Sequence, residues 1–417
     1  MAKAEFLPII LGSDENAYGT SRLFVEAYGI KPLLVCTRQL IPTVYSSLFV
    51  LKKVKGFDRD DVFPTALLEI LREAKKDYEK LIVVPCSDYY CAMLSRHYDK
   101  FEGLIENKFI SESLLNTLDT KDKFYELCEK YGMDYPKTYV ADPEDRLSAI
   151  DKLPFDFPIV VKPENSNAVE YLHAEFEGKK KVYFFSDKEA YIKVMESMNK
   201  SDYKGKMIIQ EFIEGGDDAM RVMNSYSDEI GKVLAMCLGQ PILEEYAPKT
   251  IGNYAAIISR SDKALYEKVK KFLEDIGYVG FCNIDMKYDR KRDRYVMFEI
   301  NPRLGRSSFF VRGAGINMMK VLTEDAVFGK KDDCIFADNT SLWANVPLVV
   351  IRKYLSDKKL KSEALSLVKA KKYSRTLDCK GDFHIKRFYY IKRYYLGQYN
   401  NFRKYYFEKD GGLPKNT

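Results

Sequence analysis

Histidine and tryptophan are scarce in this 417-residue chain, with three and one respectively, and the eight cysteines form no C-x-x-C pair. Structural zinc sites are built from such residues, so zinc is excluded as an organising device. The cysteines are scattered, and several lie in apolar runs (Leu34, Val35, Cys36; Val84, Pro85, Cys86). They read as buried thiols in a reducing cytoplasm. No run of about 18 apolar residues occurs, which excludes a transmembrane helix. The opening residues MAKAEFLPIILG carry one lysine and no small-residue cleavage site, so they read as a first strand and not as a signal peptide. Two phosphate-binding signatures are also missing: G-x-x-x-x-G-K-[ST], and G-x-G-x-x-G after a strand. Any nucleotide must therefore be held by other means.

A hydrophobic content of 46% and a charged content of 31% describe a folded globular protein. Its length predicts two or three structural units with sizeable cores. Residues 6–118 alternate short apolar runs with helical patterning, as an open, mostly parallel α/β sheet does. Ligands on such sheets bind beyond the carboxyl ends of the strands. Two polar loops fall there, one running from Gly12 to Asn16 and one around Ser87 and Asp88; their Asx residues serve equally as helix caps. Residues 120–131 predict an amphipathic helix, 136–215 a smaller α/β unit, and 216–330 further strands with a helix at 262–276. Three regions result: an N-terminal α/β domain (1–118), a central domain (119–330) whose lid covers about 136–215, and a basic, tyrosine-rich C-terminal subdomain (331–417).

Four segments carry the chemistry. In the strand-like stretch ending Phe298, Glu299, Ile300, Asn301, Pro302, Arg303, alternation places Glu299 and Asn301 on one face. A carboxylate and a side-chain carbonyl so spaced are hard oxygen ligands suited to magnesium. Asp285 ends a second apolar run, and the short link between the runs predicts a hairpin that brings Asp285 to the same face. E-x-N alone is more simply a polar strand face; Asp285 upstream and Arg303 downstream favour the metal site. Third, Lys162 closes the buried run Pro158, Ile159, Val160, Val161. A nucleotide phosphate would partner its ammonium, although a lysine at a strand end also snorkels to water. Fourth, the run to Glu211, Phe212 and Ile213 meets paired glycines and then Asp217 and Asp218. Exposed backbone there would suit an adenine edge and a carboxylate would suit ribose hydroxyls; solvated acids on a strand turn fit equally well.

The order and spacing of these segments resemble the ATP-grasp superfamily, over residues 119–320. That resemblance implies an ATP-grasp fold in the α/β (α+β) class. It implies ATP held by Lys123, Lys162, Glu211, Phe212, Ile213 and Asp217 or Asp218, and Mg2+ (or Mn2+) held by Asp285, Glu299 and Asn301. Family members often carry a glycine-rich loop after the second lysine. Here that loop has no glycine, and Asn165, Ser166 and backbone N–H groups would cradle phosphate instead. Family enzymes convert a carboxylate to an acyl phosphate that an amine then attacks, a reaction that relies on positioning and charge neutralisation. Arg303 is expected to stabilise the transferring group, with Arg306 assisting.

Within the superfamily the chain is similar to the D-aspartate ligase family, through Gly12 to Tyr18, Lys162 to Ser166 with Phe176 to Lys181, and Glu299 to Ser308. This implies an amino acid donor and an amine acceptor, such as the lysine side chain of a UDP-linked muropeptide. A ligase making a dipeptide or modifying a small metabolite, and a nucleotide-binding regulator without catalysis, are the rival readings.

Net charge is +6, unevenly spread: residues 351–417 hold 18 Lys and Arg against 6 Asp and Glu, leaving 49 against 55 elsewhere. Residues 383–407 interleave basic and aromatic side chains. A packed helical subdomain with solvated lysines is the first reading and a surface for an anionic substrate the second. Nucleic acid or an anionic membrane comes a distant third. No nucleic-acid partner is expected, and the sequence leaves the oligomeric state open.

Overall fold

The apolar run at the N-terminus forms the strand Ala4–Leu11 in the computed structural model of the protein, which describes residues 4–164, 169–180, 182–248, 250–330, 332–410 and 413–414. Gly12 ends the strand at φ 136°, where a Cβ would lie 3.1 Å from that of Cys86. Only glycine suits so sharp a passage from strand to helix. The helix Glu15–Tyr28 follows, capped by the Asp14 carboxylate at Ala17 N and closed by Gly29 in the left-handed region. Ala4–Leu11 pairs in parallel with Leu33–Cys36 and Tyr78–Pro85, and Val50–Lys53 completes the sheet outside Leu33–Cys36. That outer strand is mostly exposed and ends in two lysines, which blunt a free edge.

The chain divides into two compact units. The first comprises residues 1–119, 217–286 and 299–407. Besides the parallel sheet it holds most of an eight-stranded sheet ordered Arg294–Asn301, Gly280–Asp289, Met220–Ser227, Val233–Glu244, Tyr254–Arg260, Leu342–Ala344, Tyr373–Ser374, with Ile335–Phe336 beside Val233–Glu244. One core joins its parts. Ile10, Tyr18 and Phe24 pack in the same cluster as Ala235, Ile257, Phe310, Met319, Trp343 and Tyr395. The basic C-terminal region is folded into this unit as the helices Leu348–Tyr354, Lys358–Lys369 and Ile385–Tyr405, the last burying Ile391, Tyr395 and Phe402.

The second unit comprises residues 120–216, 287–298 and 408–417. Its antiparallel sheet runs Thr138–Ala141, Met207–Glu211, Ile159–Pro163, Tyr183–Phe185. Ile159 and Val161 face a core shared with Tyr183, Tyr191, Met195 and Ile209. The glycine pair Gly215 and Gly216 lies where the chain leaves this unit for the first.

Candidate active site

The strands Gly280–Asp289 and Arg294–Asn301 are neighbours in the sheet, and residues 290–293 join them. Only an antiparallel hairpin spans so short a link. Glu299 and Asn301 project to one face, and the pairing brings Asp285 beside them. Asn301 Nδ2 donates to Asp285 Oδ2 at 3.2 Å and to Glu299 Oε1 at 3.4 Å. The Tyr254 hydroxyl donates to Asp285 Oδ1 at 2.9 Å, and Asn283 Nδ2 lies 3.4 Å from Oδ2. Burial, followed by the Glu299 charge, pushes the Asp285 carboxyl up to about 7. Two carboxylates crowded in this way repel unless a proton or a cation joins them.

This donor set fits magnesium: two carboxylates and an amide whose oxygen turns inward on rotation. Among the described residues no three His, Cys, Asp or Glu side chains are grouped to hold a metal alone. Magnesium does not need three, because waters and phosphate oxygens complete its shell.

Arg303 and Arg306 follow on the loop after the second strand. Arg303 Nη2 donates to Asp88 Oδ2 at 3.0 Å and to Asn301 Oδ1 at 3.4 Å. Asn16 fastens the loop to the N-terminal helix through a 2.6 Å hydrogen bond from Nδ2 to Leu304 O. Arg306 Nη2 lies 3.3 Å from Glu15 Oε2 and 3.9 Å from Glu245 Oε1. Both glutamates are buried. Asn345 Nδ2 donates to Glu15 Oε2 at 2.8 Å, Tyr394 OH donates to Glu15 Oε1, and Gln398 Nε2 lies 3.4 Å from Glu245 Oε1. Two carboxylates thus share one guanidinium. Burial pushes the Glu15 carboxyl up to about 7; Arg306 opposes the rise and Glu245 adds to it. Burial also raises Glu245, again against Arg306.

Asp285, Glu299, Asn301, Arg303 and Arg306 line one cavity of about 200 Å³, together with Glu15, Glu245 and Tyr254. All of it belongs to the first unit. Sequence reasoning assigned no ligand role to Glu15 and passed over Glu245, Tyr254, Asn345, Tyr394 and Gln398. The one local signal was an acid in the first turn of a helix that is otherwise buried. Tyr394 and Gln398 had only their i, i+4 spacing in the basic tail.

None of the remaining expected residues is among those lining this cavity. Asp217 Oδ2 accepts from Glu244 N and from the Tyr246 hydroxyl, each at 2.9 Å, and the Asp218 carbonyl accepts from Gln240 and Arg221. In the second unit, Lys162 sits on the strand Ile159–Pro163, on the face away from that unit's core. Lys123 is exposed on the helix Lys121–Lys130, while its neighbour Lys121 reaches Phe298 O at 2.9 Å. The Glu211 carboxylate takes Lys137 N at 3.0 Å and Arg292 Nη1 at 3.0 Å. Phe212 is half-buried, with Lys287 Nζ 5.2 Å from its ring centre, and Ile213 is buried. Ser166 lies outside the described residues.

Comparison with known proteins places these features in a lineage. The D-aspartate ligase of Enterococcus faecium (strain Aus0004) is 39% identical over 415 residues, spanning 98% of each chain. The chain belongs to the D-aspartate ligase family. It is an ATP-dependent carboxylate–amine ligase with the ATP-grasp fold. The family model of the carbamoyl-phosphate synthase L chain ATP-binding domain matches residues 227–323, the stretch that carries Asp285, Glu299, Asn301, Arg303 and Arg306. Solved structures share the fold at low identity. Phosphoribosylglycinamide synthetase from Anaerococcus prevotii superposes with a TM-score of 0.57 at 17% identity, covering 82% of this chain and 80% of that one. N5-carboxyaminoimidazole synthetase from Staphylococcus aureus, complexed with ADP, gives 0.60 at 11%, covering 86% and 87%. No helix among the described residues is long and apolar enough to cross a membrane.

Proposed function

We propose that this ligase phosphorylates the side-chain carboxylate of D-aspartate and passes the acyl group to the lysine side-chain amine of a UDP-linked muropeptide, in the cytoplasm. The observation that carries the reading is that one cavity is lined by both charge clusters, which a dicarboxylate amino acid would bridge. With both carboxylates ionised, Glu15 and Glu245 outnumber Arg306 by one negative charge; the donor's ammonium would draw the pair into that ionised state, and Arg306 suits its α-carboxylate. The donor's second carboxylate then points toward Asp285, Glu299 and Arg303.

Asp285, Glu299 and Asn301 would hold Mg2+, which supplies charge neutralisation for the transferring phosphoryl group. Arg303, held by Asp88, presents its guanidinium to the same group. Lys123, Lys162, Ser166, the backbone of Glu211, Phe212 and Ile213, and Asp217 or Asp218 would hold ATP. Tyr394 and Gln398 hydrogen-bond Glu15 and Glu245, so the helix Ile385–Tyr405 would help to hold the donor pocket.

Phosphate release from ATP and Mg2+ tests this reading across single D- and L-amino acids, with and without the muropeptide. Release that needs D-aspartate together with the muropeptide is the expected result. Release with another donor or acceptor would replace the substrates. Turnover with an amino acid pair alone would establish the dipeptide reaction.

A further inference from the structure

The helix Ile385–Tyr405 carries two apolar stripes where a surface helix needs one. Its inner stripe holds Arg387, Ile391, Tyr395, Gln398 and Phe402, all buried. On the opposite side, Ile385, Phe388, Tyr389, Lys392 and Leu396 follow at i, i+3, i+4, i+7 and i+11, which places them in one outward row. Ile385 is 68% exposed, Tyr389 61% and Leu396 58%, and Phe383 just before the helix is 74% exposed. Leu40, Ile41 and Tyr45 are exposed beside them. Tyr45 stacks on His384 at 5.4 Å between ring centres and lies 5.8 Å from Tyr390. Lys386 sits 5.6 Å over Tyr45, and Lys392 5.2 Å over Phe388.

The patch is built rigidly. Buried Arg387 pairs with buried Asp382 at 2.8 Å and donates to Pro42 O at 2.8 Å and Val44 O at 3.2 Å. Asp382 also accepts from the Ser46 hydroxyl at 2.8 Å and from Ser47 N at 2.6 Å. This network clamps the segment that carries Leu40, Ile41 and Tyr45 to the start of the helix. Tyr45 is held at φ 57°, a left-handed conformation uncommon outside glycine. Such strain persists where the surroundings enforce it.

Charge identifies the occupant. Residues 383–407 contain no acidic side chain, and Lys386, Lys392 and Arg393 are exposed among the aromatics. A second copy of this chain would bring like charge against like. Nucleic acid would use the rings and the cations, but exposed Leu40, Ile41, Ile385 and Leu396 have nothing to stack on. Aliphatic and aromatic tips ringed by lysine fit the headgroup boundary of a bilayer whose lipids are anionic. We propose that this face docks the enzyme peripherally on an anionic phospholipid membrane, with the helix lying along the surface.

Co-sedimentation of the full chain tests it, using vesicles of phosphatidylcholine alone and of phosphatidylcholine mixed equally with phosphatidylglycerol. The native protein is expected to bind the mixed vesicles, to ignore phosphatidylcholine, and to be released as salt rises to about 0.5 M. The double variant Phe388→Ser, Tyr389→Ser should lose about tenfold or more in binding. Lys386→Glu, Lys392→Glu should abolish it, each variant keeping the native melting temperature. A destabilised variant is replaced by Ile385→Ser, Leu396→Ser, which touches a separate part of the row. Absence of binding to the mixed vesicles, equal binding to both kinds, or variants that bind like the native chain would overturn the proposal. So would displacement of the protein from mixed vesicles by single-stranded RNA that binds through the same residues. None of these readouts needs turnover, so they stand apart from the substrate assignment.

Discussion

Replacing Glu15 by glutamine should make the protein more stable and less active. The carboxyl is buried, shares Arg306 with Glu245, and is pushed from an ordinary 4.5 up to about 7. Because the folded state holds this proton too tightly, the group's stability contribution is complete below about 4.5 and is lost as pH climbs through about 7. At 1.36 kcal/mol per pH unit the loss approaches about 3 kcal/mol in mild alkali. Glutamine removes that loss but also removes an ionic hydrogen-bond partner of Arg306, at a cost of about 1–2 kcal/mol. The net gain at about pH 8.5 is therefore about 1–2 kcal/mol, shrinking or reversing near pH 5. Urea unfolding of the ligand-free protein at both values reads it. The native midpoint should fall between about pH 5 and 8.5 and that of Glu15→Gln should fall distinctly less, the remaining slope coming from Asp285, Glu245 and Asp14, whose carboxyls burial also raises. Activity moves the other way: the donor's ammonium loses a counter-charge, and KM for the amino acid rises about tenfold or more. A variant that keeps the native pH slope would refute the buried-charge argument. One that keeps the native KM would refute the donor assignment.

Glu299→Ala should reduce phosphate release by at least about a hundredfold while leaving the fold intact by circular dichroism, because the metal loses a ligand and Arg303 stays in place. Adding preformed Mg2+–ATP, adjusted to the same pH, to the enzyme near pH 6.5 should release part of a proton in a weakly buffered titration, because burial and the Glu299 charge raise the Asp285 carboxyl. Asp285→Asn should abolish that release. Gly239→Ala places a Cβ 2.7 Å from Ile257 Cγ2 and 3.0 Å from the Phe310 ring. Both neighbours are buried, so the overpacking should cost about 1–3 kcal/mol in chemical denaturation.

The grouping of Asp285, Glu299 and Asn301 could be read in one dimension because it depends on short-range geometry. E-x-N places two oxygen-bearing side chains on one face of a strand whatever the strand packs against, and a link of a few residues brings the preceding strand alongside. The helices expected at 120–131 and 262–276 rest on local apolar spacing in the same way, and fold as Lys121–Lys130 and Lys263–Asp275. The strand Val50–Lys53 escaped notice because an exposed edge rich in lysine carries no apolar alternation. The run 342–351 read as one apolar segment, yet it divides into the strand Leu342–Ala344 and the helix Leu348–Tyr354 around Pro347. Proline lacks the N–H to continue a ladder and suits a helix start.

The sequence by itself determined the class of chemistry. Oxygen-bearing side chains, arginines and lysines at ordered positions admit phosphoryl transfer to a carboxylate, and the scarcity of histidine and the missing glycine-rich motifs exclude the common alternatives. Only the tertiary structure brought together the cluster of Glu15, Glu245 and Arg306. Glu15 and Tyr394 stand 379 positions apart and meet in one hydrogen bond, while Glu245 and Arg306 arrive from two further elements. Each looks like an ordinary surface residue in sequence, because a side chain's charge does not reveal its burial. Burial is a property of the packed whole, and it is what gathers these two acids around one guanidinium.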